Sequence, residues 1–362
     1  MSSSFPTVFA VKNDYQIFLP VTEPSLMWVK VGEKCFYDHS NGILRSNTSL
    51  HKVTVPMDLL DNAGEYTVCT RKIIERKPYF PTAEDTVEQT YEFHPLKDSS
   101  FRAYHISDSH NMVEQPIAAC EAFGDIDLLV LNGDVPNHSG AIENFMSIYE
   151  ISGRITKGRI PAVFSRGNHD MRGFYAEDIA LYTPTDNYLS YFTFRLGSLW
   201  GIVLDSGEDK PDTNDEYGGT ICCHEFRLDQ TEFIKKVIEN AEREYLADGI
   251  THRVVIAHNP FTKHIEPPFN IERELFSEWA RLLKNEIKPE VFLGGHFHVL
   301  GVEYPGCDTD ELGHPCPIVI GGLPKHKEDY FAGAGFEFSK NEIKVTFTDN
   351  KNGTIKFETI KI

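Results

Sequence analysis

Hydrophobic and polar positions change their period near residue 100. Before it, short runs at 7–11, 16–20, 26–31, 34–37, 52–56, 66–74 and 87–93 are rich in Val, Ile, Tyr, Phe and Thr and are split by Gly, Asn, Asp and Pro. Runs of this kind predict strands. None of them has helical periodicity, and their spacing predicts a small all-β sandwich over residues 1–97. After residue 100, the runs at 101–107, 127–132, 162–165, 200–205, 253–257 and 290–293 are almost continuously apolar. That is the pattern of strands covered on both faces. The clearest helix between them is predicted over 228–245, where Ile234, Val237, Ile238, Ala241 and Tyr245 recur at spacings of three and four. The tail returns to strands at 317–320, 335–338, 342–348 and 354–360, with Asn352-Gly353 as a hairpin turn. Residues 95–100 read as a linker, and residues 98–362 as an α/β domain.

Polar residues gather just past the predicted strand ends. Asp108-Ser109-His110 follows the first, Gly133-Asp134 the second and Gly167-Asn168-His169-Asp170 the third. His258 follows the fifth, and Gly295-His296-Phe297-His298 the sixth. Ligands of open α/β sheets collect at the carboxyl ends of strands, and Asp, Asn and His are metal-ligand types. From this composition, Gly-His-x-His is expected about 0.04 times and Gly-Asn-His-Asp about 0.003 times by chance. Their joint occurrence at strand ends therefore points to one metal site assembled from distant segments.

The ordered set Asp108-x-His110, Gly133-Asp134, Gly167-Asn168-His169-Asp170, His258 and Gly295-His296-x-His298 resembles the calcineurin-like metallophosphoesterase family, over about residues 101–300. A β-sandwich in front of it is similar to the purple acid phosphatase arrangement. Leu60, Gly64 and Tyr66 resemble the tyrosine corner of fibronectin type III-like and immunoglobulin-like domains, in which a buried Tyr bonds back to the backbone through its hydroxyl. The fold implied is a four-layer αββα sandwich. The resemblance implies two divalent ions, Mn, Fe or Zn. One would be held by Asp108, His110, Asp134 and His298, the other by Asp134, Asn168, His258 and His296, with Asp134 bridging. It further implies a phosphoesterase acting on phosphomonoesters or phosphodiesters through a hydroxide held between the ions, with His169 as general acid. A carboxylate has two oxygens and can span two cations about 3.5–4 Å apart. In an extended segment His296 and His298 would share a face, so a turn permitted by Gly294-Gly295 is expected to aim them at different ions.

The chain departs from two branches of the family three residues after Asp134. Asn137-His138-Ser139-Gly140 stands where Ser/Thr protein phosphatases have Asp-Arg-Gly, and where purple acid phosphatases have an iron-binding Tyr. A protein phosphatase and a ferric centre are thus disfavoured. The rival reading is a catalytically silent scaffold of the same fold, but such a chain is expected to have lost ligands or His169, and this one keeps all of them.

Other residues have blander roles. Asp170 reads first as a loop carboxylate, Arg166 as a structural arginine and His105 as a core histidine. Cys222-Cys223-His224 reads as loop packing. Residues 209–219 form a solvated acidic loop in which Tyr217 is a minor candidate for the substrate wall. The formal charge is 35 − 54 = −19, which disfavours nucleic acid and membrane surfaces as partners and leaves a small phosphate ester as the expected one. No run of 18 apolar residues occurs, and Met1-Ser-Ser-Ser-Phe-Pro lacks the basic and apolar parts of a signal peptide. Seven scattered cysteines then indicate reduced thiols and a cytoplasmic location. Cys307 and Cys316 fall in one loop, where a disulfide or a small metal site is the minor reading.

Overall fold

The computed structural model describes residues 5–351 and 353–362. Asn352 of the expected turn, and residues 1–4 of the N-terminal reading, lie outside the described residues. The N-terminal region is β-rich: β1 (Thr7–Val11), β2 (Asp14–Pro20), β3 (Ser25–Val31), β4 (Lys34–Tyr37), the short pair β5 (His39–Ser40) and β6 (Ile43–Leu44), β7 (Leu50–Pro56), β8 (Glu65–Glu75), β9 (Thr82–Ala83) and β10 (Val87–Glu92). A helix also occurs here, α1 (Met57–Ala63), which the sequence pattern does not predict; it is too short for a period to show and buries only Met57 and Leu60.

The rest alternates. It contains β11 (Phe101–Ile106), α2 (Glu114–Phe123), β12 (Leu128–Asn132), α3 (Ile142–Thr156), β13 (Pro161–Ser165), α4 (Ile179–Tyr182), β14 (Phe192–Leu196), β15 (Leu199–Val203) and α5 (Cys223–Glu239). Then come β16 (His252–Ile256), α6 (Arg273–Leu282), β17 (Val291–Gly294), β18 (Gly301–Glu303), β19 (Ile318–Ile320), β20 (Leu323–Lys325), β21 (Tyr330–Ser339), β22 (Glu342–Asp349) and β23 (Gly353–Lys361).

Two mixed sheets stack face to face between helices. The first has the order β23-β22-β21-β11-β12-β13-β1-β2-β7, with β20 on β21, and the second β14-β15-β16-β17-β19-β18. In β12, Leu128 and Val130 enter the core between the sheets while Leu129 and Leu131 meet α2 and α3. In β16, Val254 and Ile256 face that same core while Val255 meets α5 and α6. Two buried faces explain the unbroken apolar runs. The result is the four-layer αββα arrangement.

The N-terminal strands do form a sandwich. Its sheet β10-β8-β3-β4 packs on β1, β2 and β7 through Met27, Val29, Tyr66 and Val68. Its other sheet, however, is continuous with the body. β1 pairs parallel to β13, Val8 opposite Pro161 and Phe9 opposite Ala162. The expected boundary at 97/98 therefore does not separate two sheets. All five residues of β1 are buried, as are all five of β13, so parting them would bare an apolar edge.

Tyr66 is buried and its hydroxyl bonds to the backbone, donating to the Gly158 carbonyl at 2.9 Å, in the turn between α3 and β13. It fastens sandwich to body. The helix expected over 228–245 runs from Cys223 to Glu239 instead. Its first turns bury a polar side chain, Arg227, which donates to the carbonyls of Ser206 (2.7 Å) and Glu208 (2.6 Å), so hydropathy could not mark the start. It stops where the Asn240 side chain donates to the Lys236 carbonyl at 2.7 Å.

Candidate metal centre

Every candidate ligand sits just beyond the carboxyl end of a strand: Asp108 and His110 after β11, Asp134 after β12, Asn168 and His169 after β13, His258 after β16, and His296 and His298 after β17. These five strands lie centrally in the two sheets, so their ends converge. The backbone turns sharply there. Asp108, His110, Asp134, His296 and His298 all have φ between +44° and +68°, a region that costs a non-glycine residue of order 1 kcal/mol or more. The turn that sends His296 and His298 apart is thus in the histidines themselves. Gly294 and Gly295 do not supply it by left-handed backbone; they supply room. A Cβ on Gly295 would lie 1.8 Å from Ser107 Oγ, and one on Gly294 2.5 Å from Pro260 Cγ.

The side chains form two adjoining groups. In the first, His298 Nε2 lies 3.3 Å from Asp108 Oδ1 and 3.1 Å from His110 Nε2. In the second, His258 Nε2 lies 3.2 Å from Asp134 Oδ2, and His296 Nδ1 lies 3.1 Å from Asn168 Oδ1. The donor atoms of Asp108, His110 and His298 lie within 4.8 Å of one another, as do those of Asp134, His258 and His296, and those of His110, Asp134 and His169. Donors about 2.1 Å from one ion stand roughly 3.0 Å apart at octahedral angles and 3.4 Å at tetrahedral ones. The measured separations match that range. Asp108, Asp134 and His258 are almost wholly buried, and His258 Nε2 has no hydrogen bond aligned on it. Its Nδ1 lies 2.8 Å from the Asn132 carbonyl and must donate there, so Nε2 faces the other donors. These residues fit two divalent ions.

Electrostatics follow from burial and proximity. Burial alone would raise the Asp134 carboxyl, but His258, His169 and His110 hold it well below the usual range. Asp108 is likewise lowered against its burial, by His258 and His298. Burial would lower His258, yet Asp134 and Asp108 push it up to about 10. Burial brings His110 down to about 4, only partly opposed by the same two carboxylates.

His169 lies at the rim. Its backbone N–H donates to Asp134 Oδ1 at 2.8 Å, and its Nδ1 lies 2.8 Å from the Asn137 carbonyl. Position 137 thus orients His169 through a backbone oxygen. Asp170 Oδ2 accepts the N–H of Asp134 at 3.0 Å and that of Gly167. It is a loop carboxylate, raised to about 7 by burial and by Asp134.

Arg166 is structural, its Nε 2.6 Å from Asp205. His105 is a fully buried core histidine, lowered to about 3 by burial. Cys222, Cys223 and His224 open α5 and, among the described residues, join no group of metal donors. Tyr217 is buried, with its hydroxyl 3.2 Å from both Glu208 and Asp209. Sequence reasoning missed Arg172, whose Nη1 lies 3.3 Å from His169 Nε2. The arginine stands three residues after the histidine, a spacing that carries no signal of its own. Beside it opens a cavity of about 760 Å³ lined by Arg166, Arg172, Glu208, Tyr217, Cys223 and Phe226.

A family model described as calcineurin-like phosphoesterase matches residues 101–300. No curated protein matches the chain. Among solved structures, the purple acid phosphatase PPD1 from yellow lupin (Lupinus luteus) seeds is 13% identical, with a TM-score of 0.62 over 98% of this chain and 74% of that one. A conserved protein of Streptococcus pneumoniae described as a predicted phosphoesterase is 15% identical, with a TM-score of 0.36 over 73% of this chain and 98% of that one. Zinc-complexed Vps29 from Entamoeba histolytica is 12% identical, with a TM-score of 0.33 over 72% and 98%. The first shares the fold across the sandwich and the body together.

Proposed function

The chain belongs to the calcineurin-like phosphoesterase family, and from that premise we propose that it is a binuclear metal-dependent phosphoesterase acting on small phosphate monoesters or diesters. One observation carries the reading: Asp134 belongs both to the group with His258 and His296 and to the group with His110 and His169, beside the Asp108, His110 and His298 group. Asp108, His110, Asp134 and His298 would hold one divalent ion, and Asp134, Asn168, His258 and His296 the other. When bound, such a pair supplies Lewis acidity toward phosphoryl oxygens and activates water near neutral pH.

The chain's own residues do the rest. Asp108 and Asp134, the two carboxylates of the centre, can neutralise part of the charge of the cations. His169 is held by Asn137 through Nδ1, and its Nε2, next to Arg172 Nη1, is the group to protonate a leaving alkoxide. Arg172, beside it, can meet a phosphoryl oxygen with a charged donor. The cavity next to Arg172 is large enough for a small leaving group and its walls carry Glu177, Glu208 and Glu216, which disfavours a polyanion. Among the described residues no helix is long and apolar enough to cross a membrane; from its unpaired cysteines, the protein is proposed to work in the cytoplasm. A silent scaffold is not favoured, since all eight site residues are retained.

The test is metal analysis after loading with Mn, together with hydrolysis of chromogenic phosphate monoesters and diesters. Two ions per chain and metal-dependent turnover are expected. Well under two ions per chain, or no turnover of either ester class, would overturn the proposal.

A further inference from the structure

A second group of metal donors lies outside this centre and plays no part in the proposed reaction. Glu303 ends β18, and Cys307 and His314 belong to the long loop from β18 to β19. One ligand atom from each lies within 4.8 Å of the other two. His314 Nε2 is 3.9 Å from Glu303 Oε2 and 3.9 Å from Cys307 Sγ. A tetrahedral ion with Zn–S near 2.3 Å and Zn–N near 2.0 Å would bring its donors to about 3.3–3.6 Å. A contraction of a few tenths of an ångström in these two separations would therefore bring His314 to the distances such an ion needs from its partners.

The surroundings prepare the donors. His314 is completely buried. Its Nδ1 lies 2.8 Å from Thr262 Oγ1 and 3.3 Å from Asp310 Oδ1. A carboxylate beside Nδ1 keeps the proton there, so Nε2 turns a lone pair toward Glu303 and Cys307. The Thr309 hydroxyl donates to Glu303 Oε2 at 2.7 Å and fixes that oxygen, while Lys263 pairs with the other oxygen, Oε1. The loop is preformed. Asp310 accepts backbone N–H groups from Gly306 (2.7 Å), Gly313 (2.8 Å) and His314 (2.7 Å). Cys316 is not part of the group: it is buried in the core with Ile318 and Trp279. The metal reading of this loop thus joins Cys307 to Glu303 and His314 in place of Cys316.

We propose that Glu303, Cys307 and His314 form a separate site for a single transition-metal ion, best suited to Zn(II), with water in the fourth position. One thiolate, one imidazole and one carboxylate make a borderline-soft donor set that suits zinc over Mg or Ca. The ion would cross-link β18 to the loop before β19. Through Thr262, it would also brace the segment that follows His258.

The site has a signature the binuclear centre lacks, because the latter's donors are oxygen and nitrogen only. Protein loaded with Co(II) should show thiolate-to-cobalt charge-transfer absorption in the near ultraviolet. Cys307→Ser, which changes little volume at a partly exposed position, should abolish that band and lower the bound metal by one ion per chain. Glu303→Gln should keep the band but require at least tenfold more Co(II) to reach it. Wild-type protein without the band, or a band that survives Cys307→Ser, overturns the site. Neither result bears on the phosphoesterase reading, which is tested by turnover and by the metal retained in Cys307→Ser.

Discussion

The Arg172 guanidinium joins His169 to Glu208. Its Nη1 lies 3.3 Å from His169 Nε2, while its Nε and Nη2 donate to the two Glu208 oxygens at 2.7 Å each. A bidentate pair of this kind fixes the plane of the arginine, so the side chain is held at the rim of the centre before substrate arrives. Arg172→Ala should lower kcat/KM about 10- to 100-fold, the worth of a charged hydrogen bond of about 1.5–3 kcal/mol, with metal content unchanged. Steady-state kinetics with paired metal analysis checks this; loss of metal in the variant would assign Arg172 a structural role instead.

His169 touches both Asp134 and the Asn137 carbonyl yet lies outside the sets of four assigned to the ions. His169→Ala should keep its metal and lose about 10²–10⁴ in turnover of esters with poor leaving groups. Esters with activated leaving groups need less proton donation and should suffer much less. Comparing a nitrophenyl ester with an alkyl ester decides the matter: equal loss for both would contradict a proton-donating role.

A pH-dependent contribution to stability lies far from the centre, where His252 meets the loop before β11. Its Nδ1 is 2.8 Å from Glu290 Oε2 and its Nε2 is 2.8 Å from the Ser99 carbonyl. Both ring nitrogens face acceptors, so the imidazolium satisfies both. Burial opposes the charge, but Glu290 and Ser99 outweigh it and the folded pKa is raised. The folded state therefore binds the proton more tightly than the unfolded chain, whose histidine titrates near about 6.5. The stabilisation is whole below that pH and fades as pH rises through the folded value. His252→Gln should cost about 1.5–3 kcal/mol at low pH and less at alkaline pH, read from urea unfolding of both proteins. A gap that widens with pH would refute the assignment.

Tyr66 makes the join between sandwich and body testable. Tyr66→Phe removes one hydroxyl and leaves the Gly158 carbonyl without its donor. The expected cost is about 1–1.5 kcal/mol, seen as a fall of a few degrees in Tm with metal content and turnover unchanged. An unchanged Tm would show that this bond does not couple the two parts.

Much of the site was legible because each ligand motif is short, contiguous and placed at the end of an apolar run. What could not be read depends on partners distant in sequence. Nothing in Thr7–Val11 names Pro161–Ser165 as its neighbour, and only the fold shows that all five of its residues are buried. The spacing of Leu60, Gly64 and Tyr66 implied a buried tyrosine but not that its hydroxyl would reach Gly158. Glycine tolerates a bend, so sequence alone points to Gly294-Gly295 as the turn, whereas His296 and His298 take the strained backbone and the glycines yield space. Arg172 escaped because its place beside His169 depends on Glu208, 36 residues away.

The same need for space makes Gly167 a direct test of Asp134. A Cβ there would stand 2.2 Å from Asp134 Oδ1 and 2.5 Å from Asp134 N. Asp134 cannot step aside. Its N–H donates to Asp170 at 3.0 Å, its Oδ1 accepts the His169 N–H at 2.8 Å, and its φ is already +53°. Gly167→Ala must therefore displace the one carboxylate assigned to both ions, and both should be lost together. Gly301→Ala is the control, because a Cβ at that position meets nothing within 4 Å. Metal analysis should find the control fully loaded and Gly167→Ala nearly empty, with circular dichroism showing both folded. A Gly167→Ala protein that still holds two ions at wild-type affinity would mean that Asp134 is not the shared ligand.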